Sequence, residues 1–187
     1  MPILHILAGP NGSGKSTYVE RVLGPSTGLP FINADVIAAQ RWPDAQLQHA
    51  YDASRAAAAL RSEFLKSRRS FITETVFSHP SKNALIDTAL RSSYYVHLHV
   101  MLVPVDLTVQ RVAERVRRGG HAVPEQKIRE RYDRLWPLIA IARDRVDRAQ
   151  FFDNRLARTA YRPVAEYAHG IAVGNPTWPT WTPTPLL

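Results

Sequence analysis

The stretch HILAGPNGSGKSTYVERVL, residues 5–23, decides how this chain is read. Within it Gly9, Pro10, Asn11, Gly12, Ser13, Gly14, Lys15 and Ser16 fit the pattern G-x-x-x-x-G-K-[ST]. The spacing has a physical reason. Glycines let successive backbone N–H groups converge on phosphate oxygens, and the helix that follows adds its positive end. In such a loop Lys15 reaches the β- and γ-phosphates of a nucleoside triphosphate and the Ser16 hydroxyl binds Mg²⁺. The bound nucleotide, ATP or GTP, is expected along Gly9 to Thr17. The flanks agree with this reading: residues 2–8 are a short, mostly apolar run that reads as a buried strand. Residues 16–23 continue as a helix, with Gly24-Pro25 as its expected stop.

Working outward, FINAD closes a second short strand at 29–35. Residues 45–69 lack proline and glycine and predict one long helix. SFITETVF (70–77) is a third strand, 81–93 a helix, and YYVHLHVMLV (94–103) a fourth strand apolar enough to be buried on both faces. Asp106 is expected to cap a helix that runs to 118 and breaks at Gly119-Gly120. Another helix spans 124–148, with Pro137 as a possible disturbance, and 150–155 and 169–175 are the last strands. Strands alternating with helices throughout indicate parallel βαβ units. The expected fold is α/β, a P-loop NTPase- or kinase-like three-layer αβα sandwich with a mostly parallel sheet and an arginine-rich helical lid at about 106–134. Residues 1–175 form one domain in this reading. The tail PTWPTWTPTPLL (176–187) is an extended arm whose Trp178 and Trp181 pack back on it.

Composition limits the function classes. The 187 residues contain no cysteine, which removes disulfides and thiolate metal sites. No apolar run is long enough for a bilayer span and the amino terminus lacks a secretory pattern, so a cytoplasmic protein is expected. The net charge of +8 comes almost wholly from arginine, because Lys15, Lys66, Lys82 and Lys127 are the only lysines. Arginine forks suit phosphate, in a small molecule or in nucleic acid.

A phosphate loop alone does not say whether the terminal phosphate goes to water, to a substrate, or nowhere. No aliphatic strand ends in the acidic residue typical of motor and switch ATPases, and LSGGQ and NKxD are absent. Instead Asp35 and Glu74 sit at the carboxyl ends of two different short strands, where an open α/β sheet borders its ligand crevice. One carboxylate there can accept a proton from a substrate hydroxyl while the other orients the substrate or supports magnesium through water. Arg111, Arg115 and Arg118 share one helix face, and Arg129, Arg131 and Arg134 follow on the next helix, giving positive charge for a γ-phosphate in transfer. Gly119-Gly120 reads as the hinge, with His121 beside it. His97 and His99 point to one face of the fourth strand, but no third ligand is visible at motif spacing. Asn154 after FFD is either a turn residue or part of an adenine pocket.

At these residues the chain resembles a known family. LAGPNGSGKST, FINADVIA, FITETVFS and RVRRGGHAVPEQKIRERY, followed by FFDN, are similar to the short members of the zeta-toxin family of P-loop kinases, from residue 3 to about 154. The resemblance implies a Mg²⁺-dependent ATP or GTP kinase acting on a substrate hydroxyl, in better-known members that of UDP-N-acetylglucosamine, with a separate antitoxin as partner. It implies phosphate and magnesium roles for Lys15 and Ser16, a catalytic base at Asp35 and a substrate-contacting acid at Glu74. Arg118 and Arg131 stand at the lid-arginine positions. The chain is shorter than the larger toxins and has His121 where they place a lid arginine. Two other classes stay open: a polynucleotide 5′-hydroxyl kinase, and a nucleotide-dependent binding protein without catalysis.

Overall fold

The computed structural model describes residues 1–118 and 123–187. Its centre is a seven-stranded sheet in the order β2-β3-β1-β4-β5-β6-β7. The strands are β1 (Ile3–Ala8), β2 (Phe31–Ile32), β3 (Phe71–Thr75), β4 (Tyr95–Leu102), β5 (Arg148–Asp153), β6 (Arg162–Ala168) and β7 (Ile171–Ala172). β1 lies parallel between β3 and β4, with Leu4 opposite Phe71 on one side and Val96 on the other. The chain leaves β1 toward β2 and β3 on one side and builds β4 and β5 on the other. The end of β1 is therefore the topological switch point, where ligands bind in open α/β sheets. Five strands are parallel; β6 and β7 are added antiparallel as a hairpin on β5. This is the P-loop NTPase/kinase-like α/β fold expected from the sequence.

Strand alternation assigns the two faces. Leu4, Ile6 and Ala8 of β1 with Val96, Leu98 and Val100 of β4 enter the larger core. There they meet α3 (Ala34–Arg41), α4 (Ala50–Lys66), α5 (Ser81–Arg91) and α7 (Glu125–Arg143). Leu7, Ile72, Met101 and Phe152 point the other way and pack on Tyr18, Val19 and Leu23. These last three belong to a continuous helical run made of α1 (Lys15–Tyr18), a π-helical turn (Val19–Leu23) and α2 (Gly24–Thr27). No described helix is long and apolar enough to cross a membrane.

Several local expectations are corrected. Gly24-Pro25 does not stop the first helix. The Gly24 N–H bonds the Val19 carbonyl five residues back, so the widened turn makes room for the proline ring, and the run ends at Gly28. Asp106 lies in the first turn of α6 (Val105–Arg117) rather than at its cap, which is Pro104. Its carboxylate instead accepts a bond from Arg129 of α7. α7 runs through Pro137 unbroken, because Tyr132, Leu135, Trp136 and Ile139 on either side of it are buried in the core. RPVAEYA forms β6 although its sequence lacks the alternation of a strand, because a bulge buries Val164 and Ala165 in succession. The Gly119-Gly120 hinge and His121 lie outside the described residues.

The tail returns to the body. Trp178 meets Phe151 edge-on at 5.1 Å, Leu186 is fully buried, and Arg143 Nη1 donates to the Leu186 carbonyl at 3.0 Å.

Candidate active site

The glycine loop joins β1 to α1 and turns sharply enough that Gly14 adopts φ +90°. A Cβ at Gly14 would run into the Asn154 side-chain amide, so only glycine fits. That amide braces the loop: Asn154 Nδ2 donates to the Ser13 carbonyl at 2.8 Å, and Tyr161 Oη donates to the Gly14 carbonyl at 3.3 Å. Arg111 completes the brace, donating to the Gly12 carbonyl at 3.3 Å and to those of Asn154 and Arg155 at 3.0 and 3.2 Å. The structure thus places Asn154 behind the phosphate loop. Tyr161 is a residue the sequence reading missed, and nothing in the local pattern singles it out.

Lys15 folds back over the loop and is buried, its ammonium donating to the carbonyls of Gly9 and Pro10 at 3.0 and 2.9 Å. Burial pushes its pKa below the ordinary value; the Glu74 and Asp35 carboxylates oppose that shift and Arg115 adds to it. Ser16 Oγ donates to Glu74 Oε2 at 2.7 Å, and Asn33 Nδ2 donates to the same oxygen at 3.1 Å. Asn33 also caps α3, its Oδ1 accepting from the N–H of Asp35 at 2.7 Å and of Val36 at 3.4 Å. One side chain therefore holds both acidic residues in place. The sequence reading passed over Asn33, although an Asn two residues before Asp at a strand-to-helix junction is a cap signal. Asp35 itself sits in the first turn of α3, where the helix dipole favours a carboxylate.

Two cavities meet here. The first, about 340 Å³, follows the phosphate loop from Asn11 to Thr17 and is bounded by Asp35, Glu74, Arg111 and Arg115. The second, about 330 Å³, shares Asn11, Asp35 and Arg115 with it and extends to Gln46 and Arg131 over an alanine-rich wall of α3 and α4. Of the lid arginines read from the sequence, Arg115 lies in both cavities and Arg131 in the second. Arg118 is exposed and lines neither. Arg129 joins Asp106 and Glu125, and Arg134 turns to the Glu130 carbonyl of its own helix.

The family AAA_33, described as an AAA domain, matches residues 4–138, well over half of the chain. The chain belongs to this AAA domain family. An uncharacterized protein of Haemophilus influenzae is 33% identical over 125 residues, which cover 66% of this chain and 88% of that one. Among solved structures, that of the PezAT chromosomal toxin–antitoxin system of Streptococcus pneumoniae superposes on this AAA domain chain with a TM-score of 0.61 at 15% identity. The match covers 82% of this chain and 68% of that one. The AvrRxo1-ORF1:-ORF2 complex with ATP superposes with a TM-score of 0.69 at 16% identity, over 92% of this chain and 60% of that one. At these identities the likeness is one of fold: the P-loop kinase-like architecture.

Proposed function

We propose that this AAA domain protein is a kinase of zeta-toxin type. It transfers the γ-phosphate of ATP or GTP to a hydroxyl of a small acceptor, UDP-N-acetylglucosamine or another nucleotide sugar or nucleotide. The observation that carries this reading is the shared wall: Asp35 borders both the phosphate-loop cavity and the second cavity beside it. A switch or motor needs one nucleotide site, whereas a kinase needs a second reactant held against the first.

The residues divide the work accordingly. The loop amides and Lys15 hold the phosphates, the lysine exchanging its two carbonyl partners for phosphate oxygens. Asp35 accepts the acceptor hydroxyl proton as the new O–P bond forms and the bond to the β-phosphate oxygen breaks, releasing the nucleoside diphosphate. Arg115 and Arg131 face that point and neutralise charge on the moving phosphoryl group and on an anionic acceptor. Arg118, exposed at the end of α6, is the further arginine assigned to the γ-phosphate in this reading. The Ser16 hydroxyl with the Glu74 and Asp35 carboxylates is an all-oxygen set that fits Mg²⁺. When bound, the ion neutralises charge between the β- and γ-phosphates. Glu74 is tied to Ser16 and lies outside the second cavity, which favours its support of the magnesium side over direct acceptor contact. Nucleotide sugars as acceptors put the reaction in the cytoplasm. The PezAT likeness makes a separate antitoxin chain the natural partner to seek.

A mass-spectrometric product screen tests the proposal. The protein with Mg²⁺ and ATP is given nucleotide sugars, nucleosides and short oligonucleotides, with the Asp35→Ala variant alongside. The expected result is one added phosphate on a nucleotide sugar or nucleotide, absent with Asp35→Ala. A product only on oligonucleotides would make it a polynucleotide kinase. ATP binding with no product on any acceptor would make it a binding protein.

A further inference from the structure

Away from the phosphate loop, the sheet gathers three histidines. His5 on β1 and His97 on β4 are register partners on adjacent parallel strands, and His99 follows two residues later, so all three imidazoles rise from one face. One ring nitrogen of each lies within 4.8 Å of those of the other two. The third ligand that motif spacing fails to show is supplied by β1.

The local chemistry is unusual for a sheet core. His5 Nδ1 and His99 Nε2 stand 3.0 Å apart, so a single proton is shared by two buried rings. The His97 and His99 rings stack with centroids 3.9 Å apart. His99 is only 2% exposed, and its Nδ1 has no hydrogen-bond partner. Nε2 is the His99 nitrogen turned toward His5, so it and not Nδ1 is the atom this ring offers to the cluster.

We propose that His5, His97 and His99 form a three-nitrogen site for a borderline transition-metal ion, Zn²⁺ foremost. Imidazole nitrogens without carboxylates select Zn²⁺, Cu²⁺, Ni²⁺ or Co²⁺ over Mg²⁺ and Ca²⁺. The 3.0 Å between His5 Nδ1 and His99 Nε2 is close to the roughly 3.3 Å that ligands keep around a tetrahedral ion with bonds of about 2.0–2.1 Å. His97 is oriented from behind. Gln150 donates its Nε2 to Glu166 at 3.1 Å, which turns its Oε1 to accept from His97 Nε2 at 3.0 Å. That leaves His97 Nδ1 as the ring's lone pair, the outer-shell arrangement that fixes a ligating tautomer. Burial keeps all three rings neutral at pH 7, His5 and His97 titrating at about 4 and His99 well below its ordinary value. An entering ion therefore need not compete with imidazolium protons. Besides burial and the neighbouring imidazoles, the Arg148 guanidinium lowers His97 and His99, and Glu166 sits 2.7 Å from that guanidinium to offset it. Tyr18 and Phe152 roof His99 with ring centroids at 5.8 and 6.4 Å, while half-buried His97 leaves a way in. The ion would clamp β1 to β4 under the helix that starts at the phosphate loop, whether or not the protein is a kinase.

The test uses untagged full-length protein stripped with chelator and titrated with Co²⁺ as a spectroscopic stand-in, followed by displacement with Zn²⁺. The expected result is one equivalent of Co²⁺ giving the strong visible absorption of a nitrogen-ligated tetrahedral ion, bleached by Zn²⁺, with a rise in Tm. Co²⁺ among the oxygen ligands of Ser16 and Glu74 would be octahedral and nearly colourless, so the two sites are told apart. His97→Gln, checked for folding by circular dichroism, should weaken Zn²⁺ binding beyond the roughly 10–100-fold that loss of an outer-shell partner brings. No such absorption in the wild-type protein, or absorption unchanged in His97→Gln, would overturn the site.

Discussion

At the scale of single residues, the site depends on Asn33 as much as on the groups it holds. Its amide oxygen caps α3 at the Asp35 N–H and its amide nitrogen binds the Glu74 carboxylate. Asn33→Ala should cost about 1–2 kcal/mol of stability through the lost cap. It should also lower kcat by about 10²-fold through misplacement of Asp35, with nucleotide affinity nearly kept. Asn33→Ser restores a cap oxygen but removes the longer amide arm whose N–H reaches Glu74, so melting should recover while kcat stays low. Recovery of both together in Asn33→Ser would show that only the cap matters. Only part of this site is legible from residue chemistry. The loop glycines, Lys15 and Ser16 could be named from the G-x-x-x-x-G-K-[ST] spacing, and Asp35 and Glu74 from their places at the ends of two short strands. Asn33 and Tyr161 could not, because their importance lies in contacts 41 and 147 positions away along the chain.

Among the elements, the run from Lys15 to Thr27 shows where propensity misleads. Gly24-Pro25 reads as a stop, yet a π turn absorbs the proline's missing N–H and carries the helix on to Gly28. The turn also explains the glycine. A Cβ at Gly24 would stand 2.8 Å from the Val19 carbonyl oxygen. Gly24→Ala should therefore destabilise the protein by about 1–3 kcal/mol, although alanine is normally the better helix residue. Urea denaturation checks the sign: a stabilised Gly24→Ala would mean that the turn is an ordinary α-helix. Elements with clean periodicity, β1, β3, β4 and α5, were legible to within a few residues. β6 was not, because its bulge breaks the alternation and its pairing is set by β5, not by its own sequence.

For the whole molecule, the order of the strands fixes the chemistry's location. Placing β1 between β3 and β4 brings the phosphate loop, Glu74 and the cap of α3 together at the carboxyl ends of the strands. It also brings His5 beside His97, a juxtaposition no linear motif could show. The histidines should make stability depend on pH. Their folded pKa values are depressed, so the unfolded chain takes up protons first as pH falls. Stability is fully present above the unfolded value near 6.5 and is lost from there toward about 4. The upper limit is about 1.4 kcal/mol per pH unit for each group. Urea midpoints in chelator at pH 7.5 and 5 should fall accordingly, and less steeply in His97→Gln; equal slopes would contradict the burial argument.

In the proposed reaction Asp35 sends the γ-phosphate to a bound hydroxyl and not to water. The most direct measurement follows that phosphate in wild type and Asp35→Asn under saturating ATP·Mg²⁺ and acceptor, with the ATP Kd of each measured in parallel. The expected result is phosphorylated acceptor from wild type, a fall of about 10²–10⁴-fold in Asp35→Asn, and nearly equal ATP affinities. Inorganic phosphate as the only wild-type product, or transfer at full rate by Asp35→Asn, would contradict it.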